Sequence, residues 1–353
     1  MKAIREISEM TREILRDVPR VRLAFLPTPL QRLENLSRSY GVDFYMKRDD
    51  LTGPEFGGNK TRKLEFVLPG LLAEGADRIV TGASVQSNWC RQTVAAGNRC
   101  GLRTVLYLYG PEIPDDSRGN LLLDRALGAE VHFVRLEPGE NLYGGLGRTE
   151  GMRLERIREL EAEGHICRYL TVGAPFASGH TAYFAALAEL AIQLDALNMT
   201  LDDFDCIVTP LGAGGTYAGM LTAKKLFGAK TAMYGFCTSS MHPTMVDDIL
   251  KAARATAEFL KLDLTFREED VRVDFDFGGT YDVPTPGSTR AIREVARSEG
   301  ILLDPVYGAK AMSGLLDYLR RGVIARGSRI LFWHTGGLPA LFSGEGTAGR
   351  IDE

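Results

Sequence analysis

The stretch DRIVTGASVQSNWCRQTVAAGNRC, residues 77–100, contains an apolar strand pattern, a group of small polar residues and a helical pattern, in that order. The alternation of strand and helix continues along the chain as far as a last strand pattern, SRILFWHTGG, at 328–337. Apolar strands that alternate with helices are typical of parallel sheets covered by helices on both faces. We therefore predict an α/β protein with mostly parallel sheets.

The alternation is interrupted at GAPFASGHTAYF, residues 173–184, and then resumes. A chain of 353 residues is also long for one compact core. These observations predict two lobes, each a mostly parallel, twisted sheet with helices on both faces. We expect a large domain formed by residues 1–63 and 178–353, and a small α/β domain formed by residues 64–177.

Composition argues against several classes of function. The chain has 42 Lys and Arg against 46 Asp and Glu, so the net charge of −4 gives no basic face for nucleic acid. The five cysteines and five histidines are scattered without metal-ligand spacing, so we expect reduced thiols and no metal site. No apolar run approaches the ~20 residues that span a bilayer, and the amphipathic N-terminal pattern does not suit a signal peptide. We expect a cytoplasmic protein that has no membrane partner.

Ligands of parallel sheets bind beyond the carboxyl ends of the strands, and two such ends are rich in small polar residues. In TGASVQSNWCRQ, 81–92, Ser87 or Asn88 can cap a helix whose free N–H groups would bind a carboxylate, or can cap it and do nothing more. In TPLGAGGTYAG, 209–219, three glycines and Thr216 could form a phosphate cup or a plain tight turn. The spacing of these glycines is not that of a nucleotide-binding loop.

A third strand end, FWHTGGLPALF at 332–342, presents Thr335 and two glycines. Strand alternation places His334 on the face opposite Thr335, and we interpret this histidine as structural. Tyr281 and Tyr307 lie in irregular segments, where each could line a pocket or simply cover the core.

The stretch FGGNKTRKLE, residues 56–65, places three basic residues after two glycines. Lys60 stands where the glycines end and a helix begins, so its amine could point into a cleft, whereas we expect Arg62 and Lys63 on a solvated face. A reactive lysine, a carboxylate-binding cap, a phosphate cup and a hydroxyl at a strand end form the set that a phosphorylated aldehyde cofactor needs.

With these motifs the chain resembles the pyridoxal-phosphate (PLP) enzymes of the tryptophan-synthase-β fold type, fold type II, from about Leu23 to Phe342. The matching segments are KRDDLTGPEFGGNKTRKLE, SVQSNWCRQ, PLGAGGTYAG, LDPVYGAKA and FWHTGGLPALF. The group with the greatest similarity contains D-cysteine desulfhydrase, 1-aminocyclopropane-1-carboxylate (ACC) deaminase and L-cysteate sulfo-lyase. The resemblance implies PLP as cofactor and a small amino acid as substrate, and we expect a homodimer, the commonest assembly of such enzymes.

The resemblance also implies roles for single residues. Lys60 would carry the cofactor and act as the base. The other cofactor-binding residues would be Asn59 at the ring oxygen, Gly212, Ala213, Gly214, Gly215 and Thr216 at the phosphate, Tyr307 near the ring face and Thr335 at the ring nitrogen. The substrate carboxylate would be bound by Ser87, Asn88 and the N–H of Trp89, with Gln86 nearby and Tyr281 lining the substrate side. Lys60, Ser87, Tyr281 and Tyr307 are the expected catalytic residues.

The chain departs from the pattern of these relatives at two positions. Trp89 replaces a Gln or His and should re-shape the carboxylate side, and Gly308 replaces the Glu that is typical of ACC deaminases. A threonine at the ring nitrogen, with no acid at 308, favours elimination of a sulfur leaving group. We therefore expect D-cysteine desulfhydrase-like β-elimination that gives pyruvate, ammonia and sulfide. L-Cysteate sulfo-lyase and ACC deaminase activities stay open, and so does a non-catalytic PLP-binding or a nucleotide-binding protein.

Overall fold

The computed structural model describes residues 2–112, 117–137, 140, 142–173, 175–239 and 243–344. The helices are α1 (Ile4–Ile14), α2 (Glu34–Tyr40), α3 (Asn59–Ala73), α4 (Asn88–Arg99), α5 (Gly119–Ala126), α6 (Leu142–Ala162), α7 (Ala177–Asp195), α8 (Gly215–Phe227), α9 (Met245–Phe259), α10 (Pro286–Glu299) and α11 (Gly308–Arg320). The strands are β1 (Leu30–Arg32), β2 (Asp43–Arg48), β3 (Arg78–Ser84), β4 (Arg103–Gly110), β5 (Glu130–Arg135), β6 (Cys167–Tyr169), β7 (Cys206–Leu211), β8 (Ala232–Cys237), β9 (Arg272–Asp274) and β10 (Arg329–His334).

The larger sheet has six strands in the order β1-β2-β10-β7-β8-β9. All its pairs are parallel except β1 with β2, which are antiparallel. Apolar side chains cover both faces: one core includes residues of α1, α7, α8 and α9, and the other includes residues of α2, α10 and α11. This sheet confirms the predicted parallel α/β architecture.

The smaller sheet has four parallel strands in the order β5-β4-β3-β6, all from one continuous part of the chain. Residues of α3, α4 and α5 pack on one face and residues of α6 on the other. The two sheets confirm the predicted α/β fold of two lobes, while the domain boundaries at 64 and 178 stay predictions. The antiparallel strand β1, the short strand β9 and the helices α2 and α9 were not predicted.

The structure bears on two expectations drawn from composition, the state of the cysteines and the lack of membrane spans. All five cysteines are free, and all but Cys100 are buried, which agrees with reduced thiols. Across the ranges that the structure describes, no helix is both long and apolar enough to cross a membrane.

A buried ionic network lies directly after β2, at the base of the cleft. The Asp49 carboxylate is fully buried and accepts hydrogen bonds from the Arg62 guanidinium at 2.9 and 3.0 Å. It also accepts from the Trp333 indole N–H at 2.8 Å and from the Tyr183 hydroxyl at 2.7 Å. Asp49 thus ties together the end of β2, the helix α3 that carries Lys60, the strand β10 and the helix α7.

Candidate active site

Helix α3 begins at Asn59, directly after Gly57 and Gly58, and its first turn is fixed by the end of β10. The Asn59 N–H donates to the Thr335 carbonyl at 2.9 Å. A Cβ at Gly336 would lie 2.6 Å from the Gly58 Cα, so only glycine allows the two backbones to approach this closely. The strand end that carries Thr335 and the residue that precedes Lys60 are therefore held against each other.

The histidine in this strand end has a structural role, as predicted. His334 Nε2 donates to the Leu302 carbonyl at 3.0 Å, and its Nδ1 accepts from the Gly336 N–H at 3.2 Å. Both ring nitrogens are occupied by backbone groups, so the ring is held in place and is not available as a base for the cleft.

The amine of Lys60 has a lowered pKa. Desolvation by the surrounding protein lowers its pKa from 10.5 to about 8, and no carboxylate among the described residues counteracts that shift. An amine with a pKa near 8 is largely free of its proton at mildly alkaline pH, and it can then attack an aldehyde or remove a proton.

Lys63 corrects the expectation of a solvated basic face. It lies one helical turn after Lys60 and is only 2% exposed, and its Nζ contacts the Gly173 carbonyl at a long 3.5 Å. Burial and the neighbouring charge of Lys60 hold the pKa of Lys63 well below its usual range. Arg62 is equally buried, in the ion pairs with Asp49 and Glu189. The nearby acids in the sequence suggested solvent exposure, but α3 is packed between the two lobes.

The glycine turn lies against these lysines. It follows β7 and leads into α8, whose first residue is Gly215. A Cβ at Gly215 would lie 2.5 Å from the His180 ring and 3.1 Å from the Lys63 Nζ, so the turn is moulded to both side chains. The Asn59 amide donates to the Thr216 hydroxyl at 3.3 Å, which places two predicted cofactor residues side by side.

Gly215, Lys63 and His180 together form a cradle, and His180 is its neutral member. Burial and the nearby Lys63 charge lower its pKa to about 3. Its Nδ1 is buried and has no hydrogen-bond partner in the part of the chain that the structure describes. The sequence analysis missed both His180 and Lys63, although the i, i+3 spacing of Lys63 from Lys60 places the two on one helix face.

These features fit PLP. Lys63 is a buried amine whose lowered pKa no carboxylate among the described residues counteracts, and it adjoins the start of α8, where free N–H groups favour an anion. A phosphate in this cradle would supply the missing negative charge, and the Lys60 amine one helical turn away would reach the aldehyde. Thr335 is buried directly after β10, where its hydroxyl would be the group that binds a polar ring atom.

The two tyrosines meet at the same cleft. The Tyr307 Cε1 lies 3.1 Å from the position of a Cβ at Gly212, beside the glycine turn. The hydroxyls of Tyr307 and Tyr281 are hydrogen-bonded at 2.5 Å. Burial raises the pKa of Tyr281 well above its usual value, so this phenol keeps its proton at neutral pH.

The loop after β3 forms the opposite wall of the cleft. Ser87 caps α4 by accepting from the Cys90 N–H at 3.3 Å, as the sequence pattern predicted, and Asn88 begins the helix. The Gln86 amide is taken up by backbone contacts, since its Oε1 accepts from the Asn120 N–H and its Nε2 donates to the Arg118 carbonyl. Gln86 therefore holds the loop in place, and its position as a substrate ligand stays a prediction.

The expected effect of the Trp89 side chain on the cleft is wrong. Trp89 is 2% exposed, packs into the core of the smaller sheet and donates its indole N–H to the Thr81 hydroxyl at 2.9 Å. The residue lies on the inner face of α4, so the ring points at the sheet while the backbone N–H stays in the first turn. The indole therefore fills the small lobe and does not re-shape the carboxylate side.

Gly308 is the first residue of α11, whose start is capped by Asp304. The buried Asp304 carboxylate accepts from the N–H groups of Val306, Tyr307 and Gly308 at 2.7–3.0 Å. Burial raises the pKa of Asp304, and these N–H groups act against that shift. The sequence analysis did not single out Asp304, although an aspartate just before a helix is a common capping signal.

Fold and site together define a PLP-dependent enzyme of fold type II. The chain belongs to the pyridoxal-phosphate-dependent enzyme family, whose model matches residues 21–336. A protein named 1-aminocyclopropane-1-carboxylate deaminase, from Burkholderia cenocepacia strain HI2424, is 36% identical, with 93% of this chain and 96% of that protein covered. The protein of the same name from Burkholderia vietnamiensis strain G4 is 35% identical over the same shares.

Solved structures agree with this assignment. A crystal structure described as an ACC deaminase homologue superposes with a TM-score of 0.82 at 34% identity, covering 94% of this chain and 96% of that one. Threonine deaminase isoform 2 from Solanum lycopersicum superposes with a TM-score of 0.62 at 21% identity, covering 95% and 85%, and this likeness concerns the fold.

Proposed function

We propose that the protein catalyses a PLP-dependent β-elimination on a small amino acid with a sulfur leaving group, like that of D-cysteine desulfhydrase. The overall reaction converts cysteine and water to pyruvate, ammonia and hydrogen sulfide. The observation that carries the choice is Gly308, which places no acid at the start of α11, while the carboxylate of Asp304 is already used to cap that helix. A hydroxyl at the ring nitrogen gives a weaker electron sink, which suits departure of a good leaving group.

The residues divide the work as follows. PLP, when bound, withdraws electrons from the substrate Cα. Lys63, Thr216 and the N–H groups at the start of α8 would hold the phosphate, and Lys60 would bind the aldehyde carbon. Ser87, Asn88 and the Trp89 N–H bind the substrate carboxylate. With PLP bound, the Lys60 amine, whose pKa is lowered to about 8, would remove the Cα proton, and the Tyr281 hydroxyl would donate a hydrogen bond to the departing sulfur.

Two other eliminations are the main alternatives. The names of the relatives favour ring opening of ACC to 2-oxobutanoate and ammonia. L-Cysteate would require a cation for its sulfonate, and Arg91 does not serve, because its guanidinium donates to the carbonyls of Glu55 and Gly57. A PLP-binding protein without turnover is the non-enzymatic alternative.

One parallel assay tests the proposal. The purified protein is incubated with PLP, its visible absorbance is recorded, and keto acid is measured with D-cysteine, L-cysteine, L-cysteate, D-serine and ACC. We expect a coloured protein that releases pyruvate fastest from a cysteine enantiomer. Faster formation of 2-oxobutanoate from ACC would replace the proposal by ring opening. A coloured protein that is inert toward all five compounds would favour the non-catalytic alternative. A colourless protein would exclude PLP as the cofactor.

We also propose a cytoplasmic homodimer. Phe25 is 67% exposed, and its backbone N–H is bonded to the Thr52 carbonyl, so it lies beside the loop that carries the exposed Leu51 and Phe56. Large apolar side chains exposed together are typical of protein interfaces. Light scattering of the purified protein should give twice the chain mass, and the double variant Phe25→Ser/Phe56→Ser should shift it toward the monomer. A monomeric wild-type protein would contradict this assembly.

A further inference from the structure

A chain of hydrogen bonds reaches Asn88 from the interior of the small lobe. The Arg91 Nε donates to the Asn120 Oδ1 at 2.8 Å. The Asn120 Nδ2 in turn donates to the Gln86 carbonyl at 2.8 Å and to the Asn88 Oδ1 at 3.0 Å. Arg91 and Asn120 have no exposed surface, so neither can exchange these partners for water.

This chain has a fixed direction. A guanidinium can only donate, so the Asn120 oxygen must face Arg91 and its NH2 group must face the loop. The Gln86 carbonyl can only accept, which enforces the same orientation of the Asn120 amide. The Asn88 oxygen then has to accept from Asn120, and the Asn88 NH2 group is turned the other way.

The freed NH2 group of Asn88 points to the cleft. A Cβ at Gly337 would lie 3.0 Å from the Asn88 Nδ2, so this group lies beside the glycines that follow β10 and Thr335. An amide in this orientation presents a donor to an anion, whereas the flipped amide would present an oxygen.

We propose that Arg91 and Asn120 are positioning residues that set the polarity of the Asn88 amide and so make it a donor for the substrate carboxylate. The proposal rests on the proposed function only in taking an amino-acid carboxylate as the anion at Asn88. It places part of the substrate specificity in two side chains that touch neither substrate nor cofactor. Arg91 also donates to the carbonyls of Glu55 and Gly57, so the same residue couples this wall to the loop before Lys60.

The sharpest test is the isosteric change Asn120→Asp. The carboxylate keeps its partner Arg91 but cannot donate, so the Asn88 amide must flip and present its oxygen to the substrate. The PLP-loaded protein is titrated with alanine, which has a carboxylate, and with ethylamine, which has none, and the shift of the visible absorbance gives each affinity. Asn120→Asp should weaken alanine about tenfold or more and leave ethylamine within twofold.

Asn120→Ala separates polarity from shape. Truncation removes the donor without forcing a flip, so it should weaken alanine less than the isosteric change does. A purely structural role predicts the reverse order. Asn98→Asp is the matched control, because Asn98 lies in the same lobe and its amide donates to the Leu127 carbonyl, its one acceptor among the described residues; it should leave both affinities unchanged.

A double-mutant cycle with Asn88→Ser tests the route of the effect. A serine hydroxyl can rotate to donate whatever Asn120 presents, so Asn120→Asp should have little further effect on alanine in that background. An undiminished effect would show that the change acts by moving the loop and would overturn the proposal, as would wild-type affinity for alanine in the single variant. Failure of the proposed function would give a different result from failure of this proposal, since the wild-type protein itself would then lack visible absorbance or any response to alanine.

Discussion

The side-chain amide of Asn59 donates to the hydroxyl of Thr216 at 3.3 Å, and this bond joins the helix that carries Lys60 to the glycine turn. The two residues are far apart in sequence. Asn59 begins α3, which follows β2, and Thr216 lies in the first turn of α8, which follows β7. Their contact brings the start of α3, which carries Lys60, next to the glycine turn. Lys63, also on α3, reaches the same glycine turn, since a Cβ at Gly215 would lie 3.1 Å from its Nζ.

Replacing this buried amine should separate cofactor affinity from stability. Lys63→Met removes a buried polar group that no carboxylate among the described residues stabilises, so the cofactor-free protein should become more stable by roughly 1 kcal/mol or more. The same change should weaken PLP about ten- to a hundredfold, because a charge-assisted bond to phosphate is lost. Urea unfolding without PLP and absorbance titration with PLP measure the two effects.

Two comparisons sharpen this prediction. Pyridoxal, which lacks the phosphate, should bind Lys63→Met as well as it binds the wild-type protein. Lys224→Met, on the far part of α8, should change neither ligand's affinity. Equal weakening of PLP and pyridoxal by Lys63→Met would place Lys63 outside the phosphate site.

The glycine turn should not tolerate a methyl group at Gly215. In Gly215→Ala the new Cβ would lie 2.5 Å from the His180 ring, which is buried and cannot move without disturbing α7. We expect loss of PLP binding and a stability loss of about 1–3 kcal/mol from overpacking. Absorbance and urea unfolding provide the readouts.

Gly70→Ala is the matched control, because a Cβ there meets no atom within 4 Å in the middle of α3. It should bind PLP normally and gain about 0.5–1 kcal/mol from the helix preference of alanine. Normal cofactor binding by Gly215→Ala would show that the turn has more room than the contact with His180 indicates.

Most strands and helices were predictable because apolar periodicity is local. The expectation that ligands bind at the carboxyl ends of parallel strands then led to three of the segments that line the cleft. The roles of Lys63 and Trp89 were not predictable in this way. Both depend on which face of a helix packs against another lobe, and neighbouring acids or an unusual residue type carry no information about that. The chain of hydrogen bonds through Asn120 could not be predicted for a related reason, since it joins helices that are separated in sequence by a strand.

The Asp49 network should dominate the stability of the cleft base. Asp49→Asn removes one of the two carboxylates that balance the buried Arg62, while Glu189 remains, so we expect a loss of about 1.5–3 kcal/mol in the free energy of unfolding. Asp43→Asn is the comparison, since Asp43 pairs with Arg32 and Arg329 near the surface; it should cost about 1 kcal/mol or less. A similar cost for both variants would contradict the central place of Asp49.

The pH dependence of the same variant has a definite sign. Arg62 and Lys47 hold the folded-state pKa of Asp49 below the ordinary 3.8. Its contribution is therefore fully present above pH 3.8 and is lost as the pH falls through the folded-state pKa. The wild-type and Asp49→Asn stabilities, measured by urea unfolding from pH 7 to pH 3, should differ most at neutral pH and approach each other in acid. Parallel curves would show that Asp49 is not ionised in the folded protein.

The lowered pKa of Lys60 predicts how fast the cofactor-free protein captures PLP. Only the unprotonated amine attacks an aldehyde, so the rate constant should rise about tenfold per pH unit below pH 8 and level off above it, where the amine is free. Stopped-flow absorbance gives the profile, and N-acetyl-lysine amide, whose amine has a pKa near 10.4, gives the solvated reference. Lys60→Ala should show no capture at any pH, which assigns the signal to this residue. A protein profile that follows the reference up to pH 10 would mean that the Lys60 amine is hydrated like a surface lysine, and a base with that pKa could not work at neutral pH.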